Sequence, residues 1–196
     1  MFNLPLPARL VTITAFGYAA GCLNAGYYLV RARRGVDLRD QHSGNAGATN
    51  AGRMLGGGGF VLVLALDAAK GAGAALVGLG LAGDVGAALG ALAAIIGHIW
   101  PAQLGWRGGK GIAPAVGGFL LVEPRATILA VMLALMLFAL TRRWSAGGLA
   151  AVVSAPAIVL LVGRPWTAAL PVAVAASLVL LAHRDEVRAM GRAATA

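Results

Sequence analysis

Residues 43–83 read SGNAGATNAGR and then MLGGGGFVLVLALDAAKGAGAALVGLGLAG. The first part, 43–53, is small and polar and ends in Arg53. After Arg53, the part up to residue 83 is apolar apart from Asp67 and Lys70, and it is longer than the roughly 20 residues that cross a bilayer as a helix. The change from polar to apolar predicts a loop at a membrane surface, followed by a helix that is tilted or begins outside the hydrocarbon.

The composition of the whole chain is that of an integral membrane protein. Of its 196 residues, 59% are apolar and 12% are charged, and the mean hydropathy is +0.81. Soluble domains carry about 25% charged residues. The 29 glycines suit close helix–helix packing in lipid. We therefore expect an all-α polytopic membrane protein, with one integral membrane domain over 1–196.

Apolar runs divide the chain into a bundle of about seven transmembrane helices. The run at 111–122 is short for a full crossing, and the run at 53–83 is long. The predicted spans are 9–30, 53–83, 85–103, 111–122, 126–141, 146–162 and 166–182.

The basic residues predict the orientation of the chain. Seven spans place twelve basic residues on one side and three on the other, with Lys70 inside a span. The twelve are Arg31, Arg33, Arg34, Arg39, Arg53, Arg107, Lys110, Arg142, Arg143, Arg184, Arg188 and Arg192, and the three are Arg9, Arg125 and Arg164. The richer side is expected to be cytoplasmic, with the N-terminus outside and the C-terminus inside. This rule also accounts for the net charge of +9, so nucleic acid is disfavoured as a partner.

The stretch 43–53 has the chemistry of an anion site. Its alternating glycines and alanines let backbone N–H groups approach a ligand, and its short polar side chains add donors and acceptors. Its arginine adds a planar fork suited to phosphate or carboxylate. A polar turn between two membrane helices would have the same composition, so both interpretations stay open. The candidate residues are Ser43, Asn45, Gly47, Thr49, Asn50 and Arg53.

A second glycine-rich cluster, GWRGGKG at 105–111, follows GHIWP at 97–101. Glycines on both sides of Lys110, at the start of a helix, present N–H groups and a helix dipole to an anion. A Walker A loop needs Ser or Thr after its lysine, and Gly111 stands there, which disfavours ATP. A flexible hairpin between spans is the alternative. The candidate residues are Arg107, Gly108, Gly109, Lys110 and Gly111.

Both clusters resemble signatures of the bacterial acyl-phosphate:glycerol-3-phosphate acyltransferases, and the resemblance covers nearly the whole chain. It implies a multi-pass enzyme of the bacterial inner membrane with its active site at the cytoplasmic face. The implied reaction, the first step of phospholipid synthesis, moves an acyl group from acyl phosphate to glycerol 3-phosphate and gives lysophosphatidic acid and phosphate. The implied partners are these two substrates and membrane lipid. Acyl phosphate is already activated, so we expect no cofactor and no metal.

For this reaction we hypothesise roles for individual residues. Arg53 and Lys110 are expected to clamp phosphates, while Ser43, Asn45 and Thr49 orient the acceptor. His183 would orient the acceptor or act as its general base, whereas the resemblance implies that the substrate phosphate itself takes the proton. The predicted catalytic residues are Ser43, Arg53, Lys110 and His183.

The C-terminal motif departs from the family pattern. Residues 183–190 read HRDEVRAM, where the family has H-R-x-N-I-x-R-L. Glu186 thus stands in place of a substrate-binding asparagine, and Ala189 in place of an arginine. Either Glu186 turns to a neighbour such as Arg188, or the acceptor differs from glycerol 3-phosphate. Ser145 is a further substrate-binding candidate by resemblance, with a helix N-cap as the alternative.

Asp67 and Lys70 lie three residues apart, which predicts that they pair on one face of a helix. Charges inside a span face the protein interior or a water-filled cavity. The pair therefore admits a different function, that of a small permease for an organic anion. Such a path needs polar groups across the full depth of the membrane, whereas the polar clusters gather on one side. A diverged relative with an altered acceptor or without activity is the third alternative, motivated by Glu186.

Overall fold

The structure is a computed structural model that describes residues 4–188, apart from the side chain of Ser145. The described residues are helical and contain no β-strand. They form two compact units divided after Pro124. The predicted single membrane domain over 1–196 stays a prediction. The helices are α1 (Leu6–Cys22), α2 (Ala25–Arg34), α3 (Ala48–Ile99), α4 (Ile112–Val122), α5 (Pro124–Thr141), α6 (Trp144–Leu161) and α7 (Trp166–Ala182).

Helix α3 consists of three helical segments, here called arms, that are separated by two breaks. Gly56, Ala82 and Gly83 have non-helical backbone angles, and the φ values of Gly56 and Gly83 are 78° and 62°. The arms therefore cover 48–55, 57–81 and 84–99. The turn at 82–83 lies where the sequence predicts the end of one span and the start of the next. The break at 56 separates a short first arm from the long apolar one.

The predicted span 9–30 is interrupted in the structure. Helix α1 ends at Cys22 and α2 begins at Ala25, so Leu23 and Asn24 lie outside both helices. Asn24 is fully buried, and its Nδ2 donates to the Cys22 carbonyl at 3.2 Å. The break is short and its flanks are apolar, so hydropathy alone does not reveal it.

Three helical stretches among the described residues are long and apolar enough to cross a membrane: Leu6–Arg34, Ala48–Leu104 and Pro124–Thr141. The stretch Ala48–Leu104 includes all three arms of α3. Helix α4 is short, as predicted, and α6 and α7 are apolar over somewhat less than a full span. Large apolar side chains such as Val85 and Leu140 are exposed, as expected of surfaces that face lipid.

Glycines hold the first unit together by allowing backbones to approach. A Cβ atom at Gly21 of α1 would overlap the carbonyl of Ala94, and one at Gly71 of α3 would overlap the carbonyl of Pro114 in α4. Small residues at such contacts are the usual means by which membrane helices pack closely. Helices α1 and α4 therefore lie directly against α3.

An apolar cluster lies beneath the polar stretch in the first unit. Val30, Leu38, Ala51 and Val63 are all fully buried in it. They come from α2, from the turn that follows α2, and from the first two arms of α3. Their burial stabilises the connection 35–47 against the start of α3.

The second unit comprises α5, α6, α7 and the residues that follow. Phe138 of α5 and Trp144 of α6 meet edge to face, with ring centroids 5.0 Å apart. Helix α6 packs on α7, where Val172 and Val179 are buried. Both α6 and α7 contain an internal proline, Pro156 and Pro171.

We predict that Gly71→Ala lowers the melting temperature in detergent, whereas Gly73→Ala does not. The added methyl at 71 meets the backbone of α4, and such overpacking costs roughly 1–3 kcal/mol. A Cβ atom at 73 has open space, so this variant on the same helix is the matched control. Equal losses in the two variants would contradict the close α3–α4 contact.

Candidate functional site

The polar stretch is organised by the buried side chain of Asn50. Its Nδ2 donates to the carbonyl oxygens of Leu38, Gln41 and Asn45 at 2.9, 3.0 and 2.9 Å. Asn50 is in the first turn of α3, so these bonds fasten the preceding loop to the helix. This candidate binding residue therefore shapes the stretch from beneath.

A tight turn at Asn45 leads the chain into α3. The Asn45 Oδ1 accepts from the Gly47 N–H at 2.9 Å, and its Nδ2 lies 3.1 Å from the Ser43 Oγ. Gly47 is the N-cap of α3, so the first N–H groups of the helix belong to the predicted stretch. Ser43 and Thr49 are exposed beside this helix start.

The glycine cluster 105–111 is fixed against the end of α3. The N–H groups of Gly108 and Gly109 donate to the carbonyls of Ile99 and His98 at 3.1 and 3.0 Å. A Cβ atom at either glycine would overlap His98. Gly111 has a φ of 85° and is the N-cap of α4. The glycines are thus required by both the packing and the backbone angles of the loop.

One backbone hydrogen bond joins the two clusters. The Ala46 N–H donates to the Gly108 carbonyl at 3.1 Å. Ala46 is fully buried, and it lies between Asn45 and Gly47 of the first cluster. Two glycine-rich segments that are far apart in sequence therefore lie side by side. The starts of α3 and α4 belong to this region, and the dipole of each favours an anion at its amino end.

Arg39 connects the turn before the first cluster to the glycine loop. From the sequence it is predicted only to be one of the basic residues of the cytoplasmic side. Its guanidinium donates to the carbonyls of Leu104 and Arg107, the latter at 3.4 Å. The Arg107 Nη2 lies 3.4 Å from the Arg39 carbonyl and 3.8 Å from Asp40 Oδ1. The sequence signal that could have indicated the role of Arg39 is the D-x-R spacing, which places Asp37 close enough to pair with it.

Asp37 holds the Arg39 guanidinium in place. Its carboxylate accepts from Arg39 Nε at 2.9 Å and from Nη2 at 2.7 Å, and the guanidinium lies 5.0 Å from the centroid of the Tyr27 ring. The hydrogen bond with Arg39 lowers the pKa of Asp37, and the same bond raises the pKa of Arg39. The Asp37 carboxylate therefore stays charged at neutral pH and keeps its partner oriented.

Three cationic candidates lie on these elements. Arg53 is exposed on the first arm of α3, Arg107 is exposed on the glycine loop, and Lys110 is partly buried at its end. Together with the helix dipoles at the starts of α3 and α4, they make this region of the first unit suited to phosphate.

Asp67 and Lys70 form the predicted pair, with Lys70 Nζ 2.9 Å from Asp67 Oδ1. Lys70 Nζ also lies 2.8 Å from His98 Nδ1 and 2.8 Å from the Leu23 carbonyl. The sequence analysis does not predict these two contacts. A histidine inside an apolar run is the signal that could have indicated a polar partner in a neighbouring span.

His183 and Glu186 lie together in the second unit. His183 is buried at the end of α7, and its Nδ1 lies 2.8 Å from the Val179 carbonyl. Because a carbonyl only accepts, Nδ1 carries a hydrogen. The opposite nitrogen, Nε2, is 3.9 Å from Glu186 Oε2. Arg188, the partner suggested by sequence for Glu186, lies instead 3.9 Å from Asp185.

The side chain of one motif position and the whole of another lie outside the part of the chain that the structure describes. The N-cap of α6 is Arg143, so Ser145 is inside the helix rather than at its cap, and its side chain is outside the described residues. Ala189 also lies outside the described residues.

The chain is similar to known glycerol-3-phosphate acyltransferases over nearly its whole length. The family model described as glycerol-3-phosphate acyltransferase matches residues 11–192. Glycerol-3-phosphate acyltransferase 1 of Desulfitobacterium hafniense (strain Y51) is 46% identical over 174 residues, which cover 88% of this chain and 86% of that protein. The glycerol-3-phosphate acyltransferase of Myxococcus xanthus (strain DK1622) is 39% identical over 183 residues, which cover 92% of this chain and 95% of that protein.

Two solved structures share the fold. Both are crystal structures of PlsY, an integral membrane glycerol 3-phosphate acyltransferase, and each alignment covers 94% of this chain and 92% of the other. The glycerol 3-phosphate form has a TM-score of 0.87 at 31% identity, and the lysophosphatidic acid form has 0.84 at 28%. The predicted all-α polytopic membrane fold is confirmed.

We predict that Asn50→Ala lowers the melting temperature and loosens the loop before α3. The change removes the donor shared by three carbonyls, and each lost hydrogen bond costs roughly 0.5–1.5 kcal/mol. Hydrogen exchange of residues 38–47 should become faster. Thr49→Ala, at an exposed neighbouring position, is the control for stability. A melting temperature equal to that of the native chain would show that Asn50 does not organise the loop.

Proposed function

The chain belongs to the glycerol-3-phosphate acyltransferase family, and from that premise we propose that it transfers an acyl group from acyl phosphate to a hydroxyl of glycerol 3-phosphate. The products are lysophosphatidic acid and phosphate. The observation that carries the proposal is the hydrogen bond from Ala46 to Gly108, because it makes one region of two anion-binding clusters.

The joined clusters are suited to hold phosphates close together. Lys110 and Arg53 supply charge, and Gly108 and Gly109 let the loop pack directly against His98 at the end of α3. The starts of α3 and α4 add helix dipoles of the same sign. Their main contribution to catalysis is to position two anionic substrates that repel each other in water.

The reaction needs no further activation of the donor. The acceptor hydroxyl oxygen attacks the acyl carbon, a C–O bond forms, and the bond from that carbon to the phosphate oxygen breaks. The hydroxyl proton passes to a base, and the phosphate departs. Cationic groups and N–H donors that stabilise the departing phosphate lower the barrier most. Ser43 and Thr49, exposed beside the start of α3, are proposed to orient the acceptor.

The role of His183 is proposed on its motif and on its own geometry. Its Nδ1 donates to a carbonyl, so Nε2 is the nitrogen that accepts a proton or contacts substrate. Glu186 lies toward this nitrogen, where the family pattern has a neutral amide. A carboxylate there disfavours an anionic substrate.

We place the polar clusters at the cytoplasmic face of the bacterial inner membrane on the twelve-to-three division of basic residues. The permease alternative depends on Asp67 and Lys70 as a polar path. Lys70 is instead surrounded by Asp67, His98 and the Leu23 carbonyl, which are groups of the protein itself. This packing supports the enzyme over the carrier.

We predict that Lys110→Ala and Arg53→Ala each lower kcat/KM by about a hundredfold, because a lost group that stabilises transition-state charge costs about that much. The assay measures phosphate released from acyl phosphate in the presence of glycerol 3-phosphate, with detergent-purified protein. Arg125→Ala, at an exposed position outside the clusters, is the matched control. Unchanged turnover in the Lys110 and Arg53 variants would end the proposed phosphate clamp.

We predict that Glu186→Asn lowers the KM for glycerol 3-phosphate about fivefold, because it removes a negative charge from a site that binds an anion. Asp185→Asn makes the same change of charge at an exposed neighbouring side chain and should leave the KM close to its native value. An unchanged or higher KM in Glu186→Asn would place Glu186 away from the acceptor.

A further inference from the structure

The first unit contains a buried polar cluster that the proposed reaction does not use. Its members are Asp67, Lys70 and His98, with side-chain exposures of 1%, 8% and 3%. Asp67 and Lys70 belong to the second arm of α3, and His98 to the end of the third arm. Burying polar side chains this deeply between membrane helices costs free energy unless the side chains pair with one another.

Lys70 has three polar partners around its ammonium group. An ammonium group has three N–H donors and no acceptor. Asp67 Oδ1, His98 Nδ1 and the Leu23 carbonyl lie 2.9, 2.8 and 2.8 Å from Nζ. The carboxylate also neutralises the ammonium. Both Asp67 oxygens are buried and make no hydrogen bond, so charge alone holds the two side chains together. The pair has no net charge and is therefore not suited to bind an anion.

The contact with Lys70 decides which nitrogen of His98 carries the proton. Because Lys70 can only donate, His98 Nδ1 accepts, and the hydrogen of the neutral ring lies on Nε2. Both the position of the ring and its tautomer are thus set from the second arm of α3.

The other edge of the His98 ring faces the glycine loop. A Cβ atom at Gly109 would overlap Nε2, so the ring fills the space that a side chain at 109 would take. The backbone of His98 also contacts Gly109, because the His98 carbonyl accepts a hydrogen bond from the Gly109 N–H at 3.0 Å. Gly109 directly precedes Lys110.

We propose that Lys70 is a positioning residue for the acyl transfer: by holding the His98 ring against Gly109, it sets the place of Lys110 at the phosphate site. This role depends on the function proposed above. It links a buried charge pair to the phosphate site through one aromatic ring. It also accounts for the absence of a side chain at 109.

The test replaces the ion pair by apolar groups. In Asp67→Leu/Lys70→Met no buried charge is left alone, and such exchanges are often neutral or stabilising. We expect an unchanged or higher melting temperature, but kcat/KM lower by about tenfold or more, because small misplacements of positioning groups are that costly. Lys110→Ala is expected to raise the KM for one of the two substrates, acyl phosphate or glycerol 3-phosphate. The double variant should raise the KM for that same substrate.

Native protein and Lys110→Ala in the same assay separate the two claims. If the native chain releases no phosphate in the presence of glycerol 3-phosphate, the proposed function is wrong. If the native chain is active and Lys110→Ala is impaired, but the double variant keeps both native KM values, positioning by Lys70 is overturned. Activity that falls only in proportion to the melting temperature overturns it too.

A second pair of variants tests the ring itself and serves if the double variant does not fold. His98→Asn keeps an acceptor near the position of Nδ1 and removes the edge that faces Gly109. Gly109→Ala should therefore reduce kcat/KM severalfold less in the His98→Asn background than in the native chain. Equal reductions in both backgrounds, or a failure of His98→Asn to fold, would assign His98 and Lys70 to structure alone.

Discussion

A charged ammonium group inside a membrane-spanning helix must find all its partners within the protein, and Lys70 meets this constraint with three polar partners. One partner, the Leu23 carbonyl, is available because the chain leaves helical geometry between α1 and α2. The others lie on two arms of α3. The Lys70 ammonium therefore connects three parts of the fold: the break at 23–24, the second arm of α3 and the end of the third arm.

The glycine loop begins where this arrangement ends. Gly108 and Gly109 bond to the last residues of α3, and Gly108 also accepts from Ala46 in the polar stretch. The stretch is in turn fastened to α3 by Asn50. The candidate phosphate-binding residues thus lie on segments that are held by backbone and amide hydrogen bonds. This order, with buried polar contacts below and exposed cations above, is how an apolar bundle can present a rigid site for phosphate.

The sequence predicts those features that depend on local chemistry. The turn at 82–83, the short α4 and the pairing of Asp67 with Lys70 follow from apolar runs and helical spacing. The break at 23–24 does not, because it is too short to alter hydropathy. The contact between Lys70 and His98 depends on how two arms of α3 align, and their 28-residue separation gives no local signal. Anion binding by 43–53 and 105–111 is a prediction that the sequence alone supports, whereas the contact of the two segments through Ala46 is visible only in the fold.

Hydrogen exchange of the native protein, with and without glycerol 3-phosphate, tests most directly whether the two clusters form one site. If they do, the ligand slows exchange at 46–50 and at 108–111 together, with the same half-saturating concentration, and glycerol without phosphate has no such effect. Protection of one segment alone, or different half-saturating concentrations for the two, would contradict a shared site.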